Sequence, residues 1–222
     1  MSRFGSVVSA ALTIVWNNAV LPRSGLDATG RAAAGGAFGL AAVASARAAG
    51  YRVDELGLSA SKVPAGLRYG AAASAVPLAG YVVALSVPAL RKRIPQRRTS
   101  PDLAGWVGFR IPVGTVIHEE LVFRSALRAM LGRAWPARTA RVLHATTFGL
   151  WHVRAARIAG DSIVATLLFT GLSAWAFDWL RRRSGSVVAP GLLHLSVNVG
   201  GAIASEVARC AAAEVVQARP VD

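Results

Sequence analysis

Cysteine is almost absent: Cys210 stands alone among 222 residues. An intrachain disulfide and a cysteine-based zinc site are therefore excluded. Charge is scarce as well. Charged residues make up 16% of the chain, against about 25% in ordinary soluble domains. Acidic residues number only 11 against 25 Lys and Arg, a net charge of +14. No internal repeat and no low-complexity tract occurs. Apolar residues are abundant, at 54% of the chain, with a mean hydropathy of +0.45. That abundance excludes intrinsic disorder, which requires low hydrophobicity. In a soluble protein the basic excess would suggest nucleic acid. Here the basic residues punctuate apolar runs, as in membrane proteins. No basic surface interleaved with aromatics is present, so no nucleic-acid partner is expected.

A bilayer core takes about 20 apolar residues per helix. Seven stretches approach that length: Phe4 to Leu21, Ala32 to Ala49, Ala65 to Leu90, Leu103 to Leu131, Arg138 to Val153, Asp161 to Leu180 and Ser186 to Val207. The expected fold is all-α, a polytopic membrane bundle of about six to eight helices, multi-pass in the cell membrane. Asn17 and Asn18 make the first stretch the weakest. It lacks a clear signal-peptide pattern and is expected to be an anchor. Gly35 and Gly39 form a small-xxx-small pair that admits a neighbouring helix. Asp161 is the expected N-cap of the sixth stretch, and Arg181, Arg182 and Arg183 stop it. Pro95 and Pro101 interrupt the basic cluster Arg91, Lys92, Arg93, Arg97 and Arg98. That cluster and Arg181–Arg183 are expected to meet anionic lipid head groups. Basic residues divide nearly evenly between the two sets of loops, so they set no orientation. The tail after Cys210 is expected to be short and mobile.

The fourth stretch carries charge inside an apolar run, where charge is costly. Glu120 and Arg124 lie four apart on one face and can neutralise each other. Glu119 points about 100° away, with no evident partner on its own helix. A desolvated carboxylate of this kind is a candidate general base. Phe148 and His152 are four apart on the fifth stretch, and His194 and Asn198 on the seventh. Three polar faces on three apolar helices can converge inside a bundle. They offer a carboxylate and an imidazole to deprotonate water, and an imidazole and an amide to hold an oxyanion. Glu119, His152 and His194 equally offer a ligand set for a divalent metal such as zinc. His118-Glu119 is not a His-Glu-x-x-His zinc helix, because Val122 stands in the last position. His144 reads as structural, Phe148 as packing that shapes the pocket, and Arg110 as snorkelling or paired with a carboxylate.

In this order, Glu119-Glu120-x-x-x-Arg124, Phe148-x-x-x-His152 and His194-x-x-x-Asn198 resemble the signature of the CAAX-protease and bacteriocin-processing family, also called Abi or type II CAAX prenyl endopeptidases. The resemblance covers roughly residues 103–207. It makes residues 1–102 the variable amino-terminal helices and 208–222 a short tail. It implies a membrane-embedded endopeptidase acting on a membrane-anchored or amphipathic peptide or protein. Glu119 and His152 would activate the attacking water. His194 and Asn198 would stabilise the oxyanion. Glu120 and Arg124 would hold geometry and charge balance, with Glu120 able to assist. The family is often labelled metalloprotease, yet the same residues fit a metal-free mechanism, which is the reading taken here. Two other classes compete. A non-catalytic scaffold or bacteriocin-immunity protein would not need Glu119 or the histidines. A small proton-coupled transporter would show inverted-repeat symmetry, and none is seen.

Overall fold

The structure is a computed structural model that describes residues 2–95 and 102–217, with side chains through Ala213. Arg97, Arg98, Pro101 and residues 218–222 lie outside the described residues. The described residues form helices and no strand. They are α1 (Arg3–Val15), α2 (Ala28–Ala48), α3 (Val63–Ser86), α4 (Pro88–Arg91), a long helix α5 (103–134), α6 (Ala137–Trp151), α7 (Val153–Ala159), α8 (Ile163–Ser184) and α9 (Val188–Gln217). The all-helical expectation holds.

Caps explain several boundaries. Ser2, Asp27 and Asp102 side chains accept the backbone N–H groups of Gly5, Gly30 and Gly105 at the starts of α1, α2 and α5. Such bonds satisfy donors that the first helical turn leaves orphaned. For α8 the cap is Ser162, which accepts from Ala165 N–H, and not the expected Asp161. Asp161 sits one residue too early, and its own N–H goes to the Ala156 carbonyl. At the other end, α9 continues past Cys210 to Gln217, so the tail is helical further than expected.

Many large apolar side chains face outward, while the charged residues of the site face inward. On α8, Leu168, Phe169 and Leu172 are 62–71% exposed. Glu119, Glu120, Arg124 and His194 are buried. A soluble domain shows the reverse, and such an apolar surface requires an apolar environment. Among the described residues, four helical stretches are long and apolar enough to cross a bilayer: Arg3–Arg23, Ala60–Ser86, Ile163–Ser184 and Val188–Ala213. Among the rest, α5 carries the site's own charges, which lower its apolarity.

Small residues bring the site helices together. A Cβ on Gly70 of α3 would lie 2.9 Å from Leu192 and 3.0 Å from the Ala189 backbone. Close packing of this kind drives helix association where lipid and side chain are equally apolar. It sets α9 against α3, and the Tyr81 hydroxyl donates to the Val197 carbonyl at 2.9 Å. On the opposite side, α2 packs against α5 through the expected Gly35 and Gly39. A Cβ on Gly35 would stand 2.6 Å from His118 Nδ1.

Candidate active site

The Glu pair lies where α5 changes its winding. Residues Trp106–Ile117 and Glu120–Leu127 follow the wide i→i+5 pattern, with His118 and Glu119 as an ordinary α-helical link between them. Wide turns of this type are rare and concentrate at functional sites.

Glu119 finds its partners on other helices. The indole N–H of Trp151 donates to Glu119 Oε1 at 3.0 Å. His152 Nε2 stands 4.0 Å from the same oxygen, and His194 Nε2 stands 3.8 Å from Oε2. These separations exceed a direct hydrogen bond but suit a small molecule held between the groups. Both imidazoles are oriented through their other nitrogen. His152 Nδ1 lies 2.8 Å from the Phe148 carbonyl, an acceptor, so that nitrogen carries the proton and Nε2 faces Glu119. His194 Nδ1 meets Glu120 Oε1 at 2.9 Å. This is the orienting contact by which a second group fixes an imidazole's useful nitrogen.

Glu120 and Arg124 pair as expected, though loosely, with Nε 3.8 Å from Oε2. Arg124 is fully buried and caged by rings. Its guanidinium carbon lies 4.2 Å from the Phe148 centroid, 4.8 Å from Phe177 and 5.8 Å from Phe123. Cation–π attraction therefore supplements a single carboxylate. Phe148 also packs edge-on against His152 and Phe123. Asn198 donates one N–H to the His194 carbonyl at 3.1 Å, which holds the amide and leaves its second N–H available. The structure thus brings Glu119, Glu120, Arg124, Phe148, His152 and His194 into one cluster, with Asn198 one turn beyond His194.

The remaining sequence candidates resolve separately. His144 Nε2 bonds the Phe123 carbonyl at 3.0 Å and is buried away from the cluster's carboxylates. Arg110 pairs with Asp102, Nη2 to Oδ2 3.5 Å. His118 is buried beneath Gly35 and packs edge-on against Trp151, ring centroids 4.9 Å apart. Trp151 itself was not a sequence candidate. Its signal was available: a buried indole N–H requires an acceptor, and Glu119 was the carboxylate without a partner.

Two cavities flank the cluster. An apolar groove of about 1110 Å³ runs between α3, α5 and α9 and includes Tyr81, Ile111, Val197 and Asn198 in its lining. A second cavity of about 660 Å³ is lined by Arg31, Arg110, Arg154 and Asn17 among others. Trp106 and Thr115 line both.

Residues 101–200 match the family model for type II CAAX prenyl endopeptidase Rce1-like proteins. The match covers just under half of the chain and is a likeness of this region to that family. All three motifs fall inside the matched residues, and the Rce1-like match supports a membrane-embedded CAAX-type endopeptidase as the general class. No match to a curated protein or to a solved structure was found.

Among the described residues, no group of three or more His, Cys, Asp or Glu side chains is placed to hold a metal ion. The Trp151 N–H takes up Glu119 Oε1 and leaves Oε2 open. As placed, Glu119, His152 and His194 do not form such a group.

Proposed function

We propose that this protein is an intramembrane endopeptidase that hydrolyses a peptide bond by a glutamate-activated water. The observation that supports it is a buried Glu119 carboxylate with one oxygen fixed by Trp151 and two imidazoles at 3.8 and 4.0 Å. A water between Glu119 and His152 loses its proton to this pair as its oxygen attacks the scissile carbonyl. The carbonyl oxygen becomes an oxyanion that accepts from the free Asn198 N–H and from Nε2–H of His194 in its doubly protonated form, whose Nδ1–H stays on Glu120. Collapse of the tetrahedral centre breaks the C–N bond, and the proton passes to the leaving amine. Glu120 holds His194 in register, and Arg124 balances the carboxylate charge. The apolar groove beside Asn198 suits a membrane-anchored or amphipathic substrate.

The test compares peptide termini in membranes from cells carrying wild type or Glu119→Gln. Termini that appear only with wild type establish the protease and name its substrate. Identical termini in substrate-containing membranes, with both proteins folded and abundant, would overturn the reading in favour of a scaffold or immunity protein. Cleavage is expected to survive dialysis against a chelator. Loss of activity restored by zinc would instead assign Glu119, His152 and His194 as ligands.

A further inference from the structure

Asn17 and Asn18 interrupt an apolar helix and have no part in the chemistry above. They sit in a wide π turn, Trp16–Val20, that continues α1. Both side chains reach the junction of α6 and α7, more than 130 residues away in sequence. There the helix breaks at His152, whose backbone takes φ −91° and ψ 0°.

In an unbroken helix the N–H of Arg154 would donate to the carbonyl of Leu150, four residues earlier. Asn18 stands between them. Its Oδ1 accepts the Arg154 N–H at 2.8 Å, and its Nδ2 donates to the Leu150 carbonyl at 3.0 Å. Nδ2 also lies 3.0 Å from the Ile14 carbonyl and 3.3 Å from the Trp151 carbonyl. Asn17 Nδ2 adds a bond to the Trp151 carbonyl at 2.9 Å. The reversed amide would set Oδ1 against three carbonyl oxygens, so chemistry fixes the orientation. One side-chain amide has replaced one rung of the helix ladder. Such insertion is a known cause of sharp helix kinks.

The opened rung lies astride the two residues that face Glu119. Trp151 precedes the break and His152 occupies it. We infer that Asn18 is a positioning residue: its amide, inserted between Leu150 and Arg154, holds the kink that aims His152 Nε2 and the Trp151 indole at Glu119. The role rests on the protease reading for its consequence, but the insertion itself does not. It also gives the amino-terminal helix a defined contribution to the site.

The experiment uses the full-length protein in liposomes with a cleaved peptide substrate. Asn18→Leu keeps the volume and removes both hydrogen-bonding functions. It should lower kcat about 10- to 100-fold, the scale of a misplaced catalytic group, with KM within about twofold. Asn18→Gln retains donor and acceptor and should recover much of the loss. In a His152→Ala background Asn18→Leu should add little, because coupled residues are non-additive. Hydrogen exchange across residues 150–156 should quicken about tenfold in Asn18→Leu, the scale of one lost hydrogen bond. If Asn18→Leu does not fold, Asn18→Ser, which is too short to span Leu150 and Arg154, should show a kcat loss in the same direction. Wild-type kcat, a full additional loss in the His152→Ala background, or unchanged exchange would each overturn the inference. If Glu119→Gln still cleaves, the protease reading fails, while the exchange result continues to test the insertion.

Discussion

In the loop between α2 and α3, Glu55 is gripped by Arg133 of α5 with two hydrogen bonds, Nε to Oε1 at 2.8 Å and Nη2 to Oε2 at 2.6 Å. At the centre of the bundle, Arg124 stands 3.8 Å from Glu120. Arg133 also donates to the Gly50 carbonyl, and Glu55 also accepts the Arg52 N–H. By contrast, all three Arg124 nitrogens, Glu119 Oε2 and Glu120 Oε2 are buried with no hydrogen-bond partner among the described residues. The pair near water is saturated, and the pair hidden from it is not. Stability alone would favour the opposite, because buried charge is costly unless fully bonded. Unsatisfied charge held deep in an apolar bundle is what a reaction centre needs. The loop pair fastens α5 to the α2–α3 loop; in the proposed mechanism the central cluster instead meets water and substrate.

Neutralising Glu119 should break this comparison most clearly. Glu119→Gln is expected to cut kcat by about 10²–10⁴, the range of a lost general base. Its thermal stability should equal or exceed wild type, because the new amide oxygen still accepts the Trp151 N–H and a buried charge is gone. Turnover and melting temperature on one preparation check both halves. Near-normal turnover would return Glu119 to the structural class. Arg124→Ala should act through stability, costing about 3–5 kcal/mol because Glu120 is left buried without its cation. Membrane yield and denaturant midpoint measure it. Full yield with complete loss of cleavage would move Arg124 from support to chemistry.

Trp151→Phe sharpens the contrast at one atom. It keeps the ring packing against His118 and Phe123 and removes the N–H on Glu119 Oε1. A hydrogen bond to a charged group is worth about 1.5–3 kcal/mol. If part of that orients the carboxylate, kcat should fall about tenfold with KM unchanged, read by steady-state kinetics. Unchanged kcat would mean that His152 and His194 suffice to fix Glu119.

The legible parts of the molecule were local in sequence. Glu120 with Arg124, Phe148 with His152 and His194 with Asn198 are each one turn apart, and helical periodicity placed each pair together. Gly35 and Gly39 signalled a close helix contact, and α2 meets α5 there. What escaped were partnerships across the bundle. Trp151 reaches Glu119 over 32 residues, and Asn18 reaches Arg154 over 136. No spacing rule encodes such distances. Asn17 and Asn18 looked like blemishes in an apolar run because their acceptors lay on another helix. The Asp161 expectation failed for a smaller reason: two adjacent residues can both cap, and Ser162 has the extended backbone that a cap needs.

The smallest expected effect belongs to the saturated pair. Two Arg133 N–H groups, and then the Arg52 backbone N–H, hold the Glu55 carboxyl well below its ordinary value of 4.5, at about 2. A carboxylate whose folded-state value is depressed stabilises the fold above the unfolded value and loses that contribution as pH falls through the folded one. The melting temperature of Glu55→Gln should therefore lie slightly below wild type at neutral pH. The gap should close as pH falls from about 4.5 to about 2. Added salt should narrow it as well, since half-exposed pairs are screened. Cleavage at neutral pH should be untouched, because Glu55 lies outside the cluster around Glu119. A Glu55→Gln deficit that grew on acidification would reverse the sign of the argument. A loss of cleavage with unchanged melting would erase the division of labour between the two pairs, making the α2–α3 loop part of the reaction centre.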